Sequence, residues 1–152
     1  MNVLFVCNGN CSRSAMAEAY FTHLCQQNKL TDVNASSAGL AVKEEAAVGE
    51  EVTSLISALG LSLEGHTPRQ LTVEIASESN HIICMSQEQA DAIHKDYLTE
   101  NDNTKVHLLL DFNGGGDLAN PEKGQPDTYE QCFLSMMPAL AELADRFIRS
   151  VQ

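Results

Sequence analysis

The sequence predicts an α/β fold, a single three-layer domain over residues 1–152 with a four-stranded parallel sheet in flavodoxin-like order and helices on both faces. Three observations lead there. Short apolar runs of β-branched or aromatic character recur at residues 3–6, 81–85 and 105–110, with a weaker one at 33–37. Between them, apolar residues repeat at i, i+3, i+4 and i+7, the spacing of a helix with one buried face. Strands that alternate with helices pair in parallel, and 152 residues at 43% hydrophobic content suit one core.

The first run, Val3, Leu4, Phe5 and Val6, has the character of a buried strand and stops at Cys7. Asn8, Gly9 and Asn10 bring turn chemistry, and from Ser12 the pattern is helical, with Ala17, Tyr20, Phe21 and Leu24 on one face. His23 and Cys25 beside that face read as packing. Residues 33–37 form the second strand. The acidic segment 43–51 reads as a solvated loop leading into a helix through Val48, Val52, Leu55, Ile56 and Leu59, which stops at Gly60. Residues 61–71 connect, and His66 reads on pattern alone as a satisfied polar loop residue.

Residues 81–85 make the third strand. Ser86 and Gln89 then have capping-box spacing ahead of a helix with Ala90, Ile93 and Tyr97 on one face. Residues 105–110 are the fourth strand. A long connection follows over 111–126, marked by Gly114, Gly115, Gly116, Pro121 and Gly124; connections of that length are usually functional or mobile. The last helix is expected near Asp127, capped by that side chain and Glu130, and runs through Phe133, Met136, Met137, Leu140, Leu143 and Phe147. Pro138 is expected to kink it.

A net charge of −12 argues against nucleic acid and anionic membranes as partners. No segment reaches transmembrane length and no leader pattern opens the chain, so a cytoplasmic location is expected. Five cysteines at no disulfide-framework spacing suit a reducing compartment, and no pair has zinc-ligand spacing; neither cofactor nor metal is expected.

The chemistry concentrates in Cys7-Asn8-Gly9-Asn10-Cys11-Ser12-Arg13-Ser14. A cysteine at a strand end, a short loop and a helix N-terminus turn successive backbone N–H groups toward an anion. Arg13, six residues after Cys7, can grip an oxyanion with two parallel hydrogen bonds, and the same positive field favours the thiolate. Together these suit nucleophilic attack on phosphorus. No Lys-Ser/Thr pair follows at Walker spacing, which excludes a nucleotide P-loop. Ligands of such sheets bind beyond the carboxyl ends of the strands, which puts Cys7, Met85 and the 111–126 loop at one edge.

The stretch VLFVCNGNCSRSAMAEAYF resembles the start of the low-molecular-weight protein tyrosine phosphatases, and more distantly the thioredoxin-coupled arsenate reductases built on that fold. The likeness continues through Ser36-Ser37-Ala38-Gly39, Gly65-His66-Thr67-Pro68-Arg69-Gln70-Leu71, Ile82-Ile83-Cys84-Met85, Asn120-Pro121 and Tyr129-Glu130-Gln131-Cys132. It implies hydrolysis of protein phosphotyrosine, or of a small aryl phosphate, through a phosphocysteine on Cys7. Arg13 then holds the phosphoryl oxygens, and Asn8, Gly9, Asn10, Cys11, Ser12 and Ser14 bind substrate. Ser14 can also donate its hydroxyl to the Cys7 sulfur. His66 is implied as a support that hydrogen-bonds Asn10.

Two positions depart from the family pattern. The family's general acid is an Asp in an Asp-Pro pair, and here Asn120-Pro121 stands there. Asn cannot donate that proton, a loss that typically costs about 10²–10⁴ in rate. Of the nearby carboxylates Asp111, Asp117, Glu122 and Asp127, none is expected to substitute fully. The family's second loop cysteine directly precedes the arginine; here Ser12 stands there, with Cys11 one place earlier. Whether Cys11 and Cys7 pair stays open, and a small residue at position 11 keeps phosphoarginine open as a substrate. A phosphate-binding module without catalysis and an arsenate reductase are the other readings; the latter needs relay cysteines, for which only Cys84 is in the right region.

Overall fold

The computed structural model describes residues 1–151. In chain order the elements are β1 (Asn2–Cys7), α1 (Arg13–Gln27), β2 (Asn34–Gly39), α2 (Glu50–Ala58), α3 (Val73–Glu78), β3 (His81–Cys84), α4 (Gln87–Asp96), β4 (Val106–Leu108) and α5 (Pro126–Ser150). The four strands are all parallel, in the order β2-β1-β3-β4, as the alternating pattern predicts.

Alternation along β1 explains the layers. Val3, Phe5 and Cys7 face a core shared with α1, α2 and α5, whereas Leu4 and Val6 face a second core with α3 and α4. Both faces are covered, so β1 reads as a continuous apolar run rather than an alternating one. Each of Val3, Leu4, Phe5 and Val6 is fully buried, contributing about 1.5–3 kcal/mol apiece. Phe5 meets Phe21 edge-on at 5.4 Å between ring centroids, and Tyr20 meets Phe133 at 5.5 Å, which pins α1 between the sheet and α5.

Helix ends follow local chemistry. After α2, Gly60 takes the left-handed conformation (φ +72°), its N–H bonds Ser57 O at 3.0 Å, and Leu61 N–H bonds Ile56 O at 3.0 Å. This paired arrangement closes the helix where the glycine predicts it. At α4, Ser86 Oγ accepts Gln89 N–H at 3.3 Å, one half of the expected box. The other half is redirected: Gln89 Oε1 accepts Met85 N–H at 2.8 Å.

Other expectations are corrected. Helix α3 has no counterpart in the sequence reading, because six residues are too few to show a period; Thr72 Oγ1 caps it by accepting Ile75 N–H at 3.1 Å. The fourth strand is shorter than expected, since Leu109–Phe112 winds into a 3₁₀ turn. Asp127 does not cap α5. The helix opens on Pro126, which needs no N–H partner there, and Thr128 Oγ1 ties the entry by accepting Glu122 N–H at 2.8 Å. The helix stays continuous through Pro138, on its exposed side.

Gly39 ends β2 directly behind the 8–12 loop, and a Cβ there would lie 2.6 Å from Asn8 O and 2.7 Å from Val42 Cγ2. Gly39→Ala therefore forces backbone apart. It is expected to lower stability by about 1–3 kcal/mol, read as a lower urea midpoint at unchanged m-value; an unshifted midpoint contradicts this packing.

Candidate active site

Cys7 is the last residue of β1, and the chain crosses from sheet to helix over residues 8–12. The loop's carbonyls are engaged: Cys7 O accepts Leu40 N–H at 3.0 Å, Asn8 O accepts Ala41 N–H at 2.8 Å, and Asn10 O lies 3.2 Å from His66 Nε2. Its amides are not. The N–H groups of residues 9–12 donate to no protein acceptor among the described residues. Nor does a side chain cap α1, whose N-cap is Ser12. Unspent donors at a helix N-terminus make a concave positive surface, suited to a tetrahedral oxyanion.

The loop keeps this shape through Asn10, which is fully buried in the left-handed conformation (φ +56°) that Asn tolerates better than most residues. Asn10 Oδ1 accepts Arg69 N–H at 3.0 Å, which fixes the amide orientation, and Nδ2 donates to Ser14 Oγ at 2.8 Å. Ser14 Oγ lies 3.0 Å from Cys7 Sγ. With its oxygen accepting from Asn10, Ser14 has its own proton free for the sulfur. A second layer holds the first: Arg69 Nε donates to Ser37 O at 2.9 Å, Ser37 Oγ donates to Glu18 Oε1 at 2.7 Å, and that carboxylate lies 3.9 Å from His66 Nδ1.

Arg13 is 95% buried, since only 5% of its surface is exposed. One guanidinium nitrogen donates to Leu118 O at 3.1 Å, while Nε has no partner among the described residues. A buried, unpaired guanidinium N–H beside unspent amides is costly without an anionic ligand. Leu118 is itself fixed, its N–H on Met85 O at 2.8 Å, so the arginine and the long loop are positioned off the end of β3. Gln89 joins the same scaffold by donating to Asn8 Oδ1 at 3.2 Å.

These groups line a cavity of about 540 Å³. Its lining includes Cys7, Asn8, Gly9, Cys11, Ser12 and Arg13, then Asn120, Pro121 and Tyr129, and the carboxylates Glu44, Glu45 and Glu51, with Lys43 and Lys123 adding positive charge. The sequence-predicted residues thus divide. Asn10 and Ser14 are fully buried, and their side chains brace the loop rather than line the cavity. His66 reaches Asn10 through the backbone carbonyl, not the side chain.

Asn120 is on the cavity wall. None of Asp111, Asp117, Glu122 and Asp127 lines the cavity, and Asp117 Oδ1 is occupied by Gln87 N–H at 2.9 Å. Sequence reasoning missed Lys43, Glu44, Glu45, Glu51, Lys123 and Tyr129. They come together only because the segment before α2 folds against the start of α5, and no sequence motif signals that. Cys84 packs into the opposite core, its thiol against the carbonyls of Ser86 and His107, and so supplies no relay to Cys7. Among the described residues no group of three or more His, Cys, Asp or Glu is placed to hold a metal, and no helix is long and apolar enough to cross a membrane.

The family model for low molecular weight phosphotyrosine protein phosphatase matches residues 2–152. The chain is 33% identical over 138 residues to a low molecular weight protein-tyrosine-phosphatase of Streptomyces coelicolor, covering 86% of this chain and 84% of that protein. It is 28% identical over 146 residues to a protein-arginine-phosphatase of Bacillus subtilis, covering 95% of each. A solved YwlE arginine phosphatase mutant with a phosphorylated active site serine superposes with TM-score 0.87 at 26% identity, over 96% of this chain and 95% of that one.

Burial holds several of the thiols in their protonated form. It pushes Cys84 and Cys132 up to about 12 and Cys25 up to about 11. Cys11 is raised by burial and by the neighbouring Cys7, against the opposing charge of Lys43. A raised thiol stays protonated, hence unreactive, until pH climbs through its folded value. Iodoacetamide at pH 8 is therefore expected to leave Cys25, Cys84 and Cys132 unlabelled in the native protein. Peptide mass mapping reads the result, and early labelling of Cys84 or Cys132 contradicts it.

Proposed function

The chain belongs to the low-molecular-weight phosphotyrosine protein phosphatase family, whose members are cysteine-dependent phosphatases, and from that premise we propose that it hydrolyses phosphotyrosine on proteins through a phosphocysteine at Cys7. The observation that carries the reading is the convergence on one cavity of Cys7, Arg13 and a loop (Gly9, Cys11 and Ser12) whose amides are unspent, with Ser14 Oγ 3.0 Å from the Cys7 sulfur.

In the first step the Cys7 sulfur attacks phosphorus in line. The S–P bond forms as the P–O bond to the phenol breaks, and its electron pair leaves on the phenolate. Arg13 and the amides of residues 9–12 hold the three equatorial oxygens, whose charge grows at the transition state. Ser14 stabilises the sulfur before attack and again when it departs. Asn120 occupies the wall where the family pattern has its acid. The phenolate of a tyrosine, with a pKa near 10, therefore leaves without a proton from that position, and the first step is slow.

Phosphoarginine is a second reading, favoured by the three carboxylates Glu44, Glu45 and Glu51 on the cavity wall, which suit a guanidinium, and by the likeness to protein-arginine-phosphatases. The same carboxylates, on a chain of net charge −12, favour basic residues around the phosphorylated one.

Phosphate release from phosphotyrosine, phosphoarginine and aryl phosphates tests these readings. Cys7→Ser is expected to abolish release. Asn120→Asp is expected to raise turnover of phosphotyrosine by about 10²–10⁴ and to act far less on an aryl phosphate whose phenol is acidic; equal gains contradict the role given to position 120. Retained vanadate binding without any Cys7-dependent release marks the protein as a phosphate-binding module instead. For phosphopeptides of matched length, kcat/KM is expected to be higher with basic flanks and to fall with added salt, while indifference to charge contradicts the charge argument.

A further inference from the structure

With no carboxyl at position 120, the proton traffic of the reaction needs another group, and the cavity holds one from outside the loop. We infer that Glu51 is the general base of the second half-reaction, taking a proton from the water that attacks phosphorylated Cys7. The inference rests on the hydrolase reading above.

Glu51 is in the first turn of α2 and lines the same cavity as Cys7, Arg13 and Asn120. Its position is fixed from the opposite wall. Oε2 accepts Gly124 N–H at 3.0 Å, and Tyr129 lines the same cavity. Glu44 and Glu45 line the cavity too, but neither side chain has a hydrogen-bond partner among the described residues. Glu51 is thus the cavity carboxylate held in one place, by the segment that follows Asn120.

The Gly124 N–H first, then the residue's own N–H, hold the Glu51 carboxyl below the usual range; burial opposes them, and Tyr129 and the Lys123 charge add smaller downward effects. The other charged groups around it are Arg13 in the same cavity, Lys43, Glu44 and Glu45 before α2, and Glu50, Asp127 and Glu130 in the adjoining groove. At neutral pH the carboxylate is ionised. That is the wrong form to protonate a departing phenolate and the right form to accept a proton from water.

The step balances. The water oxygen bonds phosphorus as the P–S bond breaks, the electron pair of that bond returns to sulfur as the Cys7 thiolate, and the water's proton passes to Glu51 and then to solvent as phosphate leaves. The two halves of the reaction are then served unequally: the first depends on leaving-group acidity, and the second is base-assisted.

An aryl phosphate with an acidic phenol makes the first half fast and exposes the second. Glu51→Gln keeps an acceptor for Gly124 N–H but removes the base. The variant is expected to show an unchanged phenol burst of one per enzyme, undiminished vanadate affinity, an unchanged melting temperature, and a steady-state kcat lower by about 10²-fold or more. Wild-type kcat falls as pH drops through the Glu51 pKa, because the protonated acid accepts nothing; that limb is expected to vanish in the variant. An unchanged kcat, a surviving limb, a burst slowed as much as the steady state, or lost vanadate binding each overturns the inference. A wild type without Cys7-dependent phosphate release contradicts the hydrolase reading itself and the inference with it.

Discussion

Everything at this site depends on a loop whose amide donors face away from the rest of the protein. Left alone, such a loop would relax and spend its N–H groups on its own chain or on water. Here it is held from behind by the buried Asn10 amide, which bonds Arg69 N–H on one side and Ser14 Oγ on the other. Gly39 lets the end of β2 approach within the space a Cβ would need. Strand β1, buried on both faces, supplies a base that does not give. The donors are therefore organised before any ligand arrives, the condition under which such groups contribute most to stabilising developing charge.

The charge distribution supports the same picture. A chain of net charge −12 offers no long-range attraction to a phosphate. The attraction is local, from the loop dipoles, the buried Arg13 and the two rim lysines, Lys43 and Lys123. Around them the carboxylates of Glu44, Glu45 and Glu51 repel a bare anion but suit a phosphate carried by a cationic surface. Selection for the phosphoryl group and selection for its surroundings are thus carried by different residues.

Much of this was legible in the sequence because it was local. The strand–loop–helix around Cys7 showed itself through an apolar run, turn residues and helical spacing, and β3 through the same kind of run. Gly60 marked the end of α2 because a left-handed residue is needed there. What the sequence hid was direction and distance. Asn10 and Ser14 stand in the loop motif, yet their buried side chains bond each other and brace the loop from behind. Gln89 has the spacing of a helix cap but braces Asn8, 81 residues away. Glu51 and Tyr129 become neighbours of Cys7 only through the packing of α2 against α5. Helix α3 was too short to leave a period, and Asp127 yielded the opening of α5 to Pro126.

The central claim is covalent: the Cys7 sulfur becomes bonded to phosphorus during turnover. Rapid quenching of the protein with an aryl phosphate, followed by phosphorus NMR and peptide mass mapping, tests it most directly. The account predicts a phosphorus bonded to sulfur, with the added phosphoryl mass on the peptide carrying Cys7, appearing within the first turnover. Phosphate released with no phosphoryl mass on that peptide, or with the mass on another residue, would contradict it.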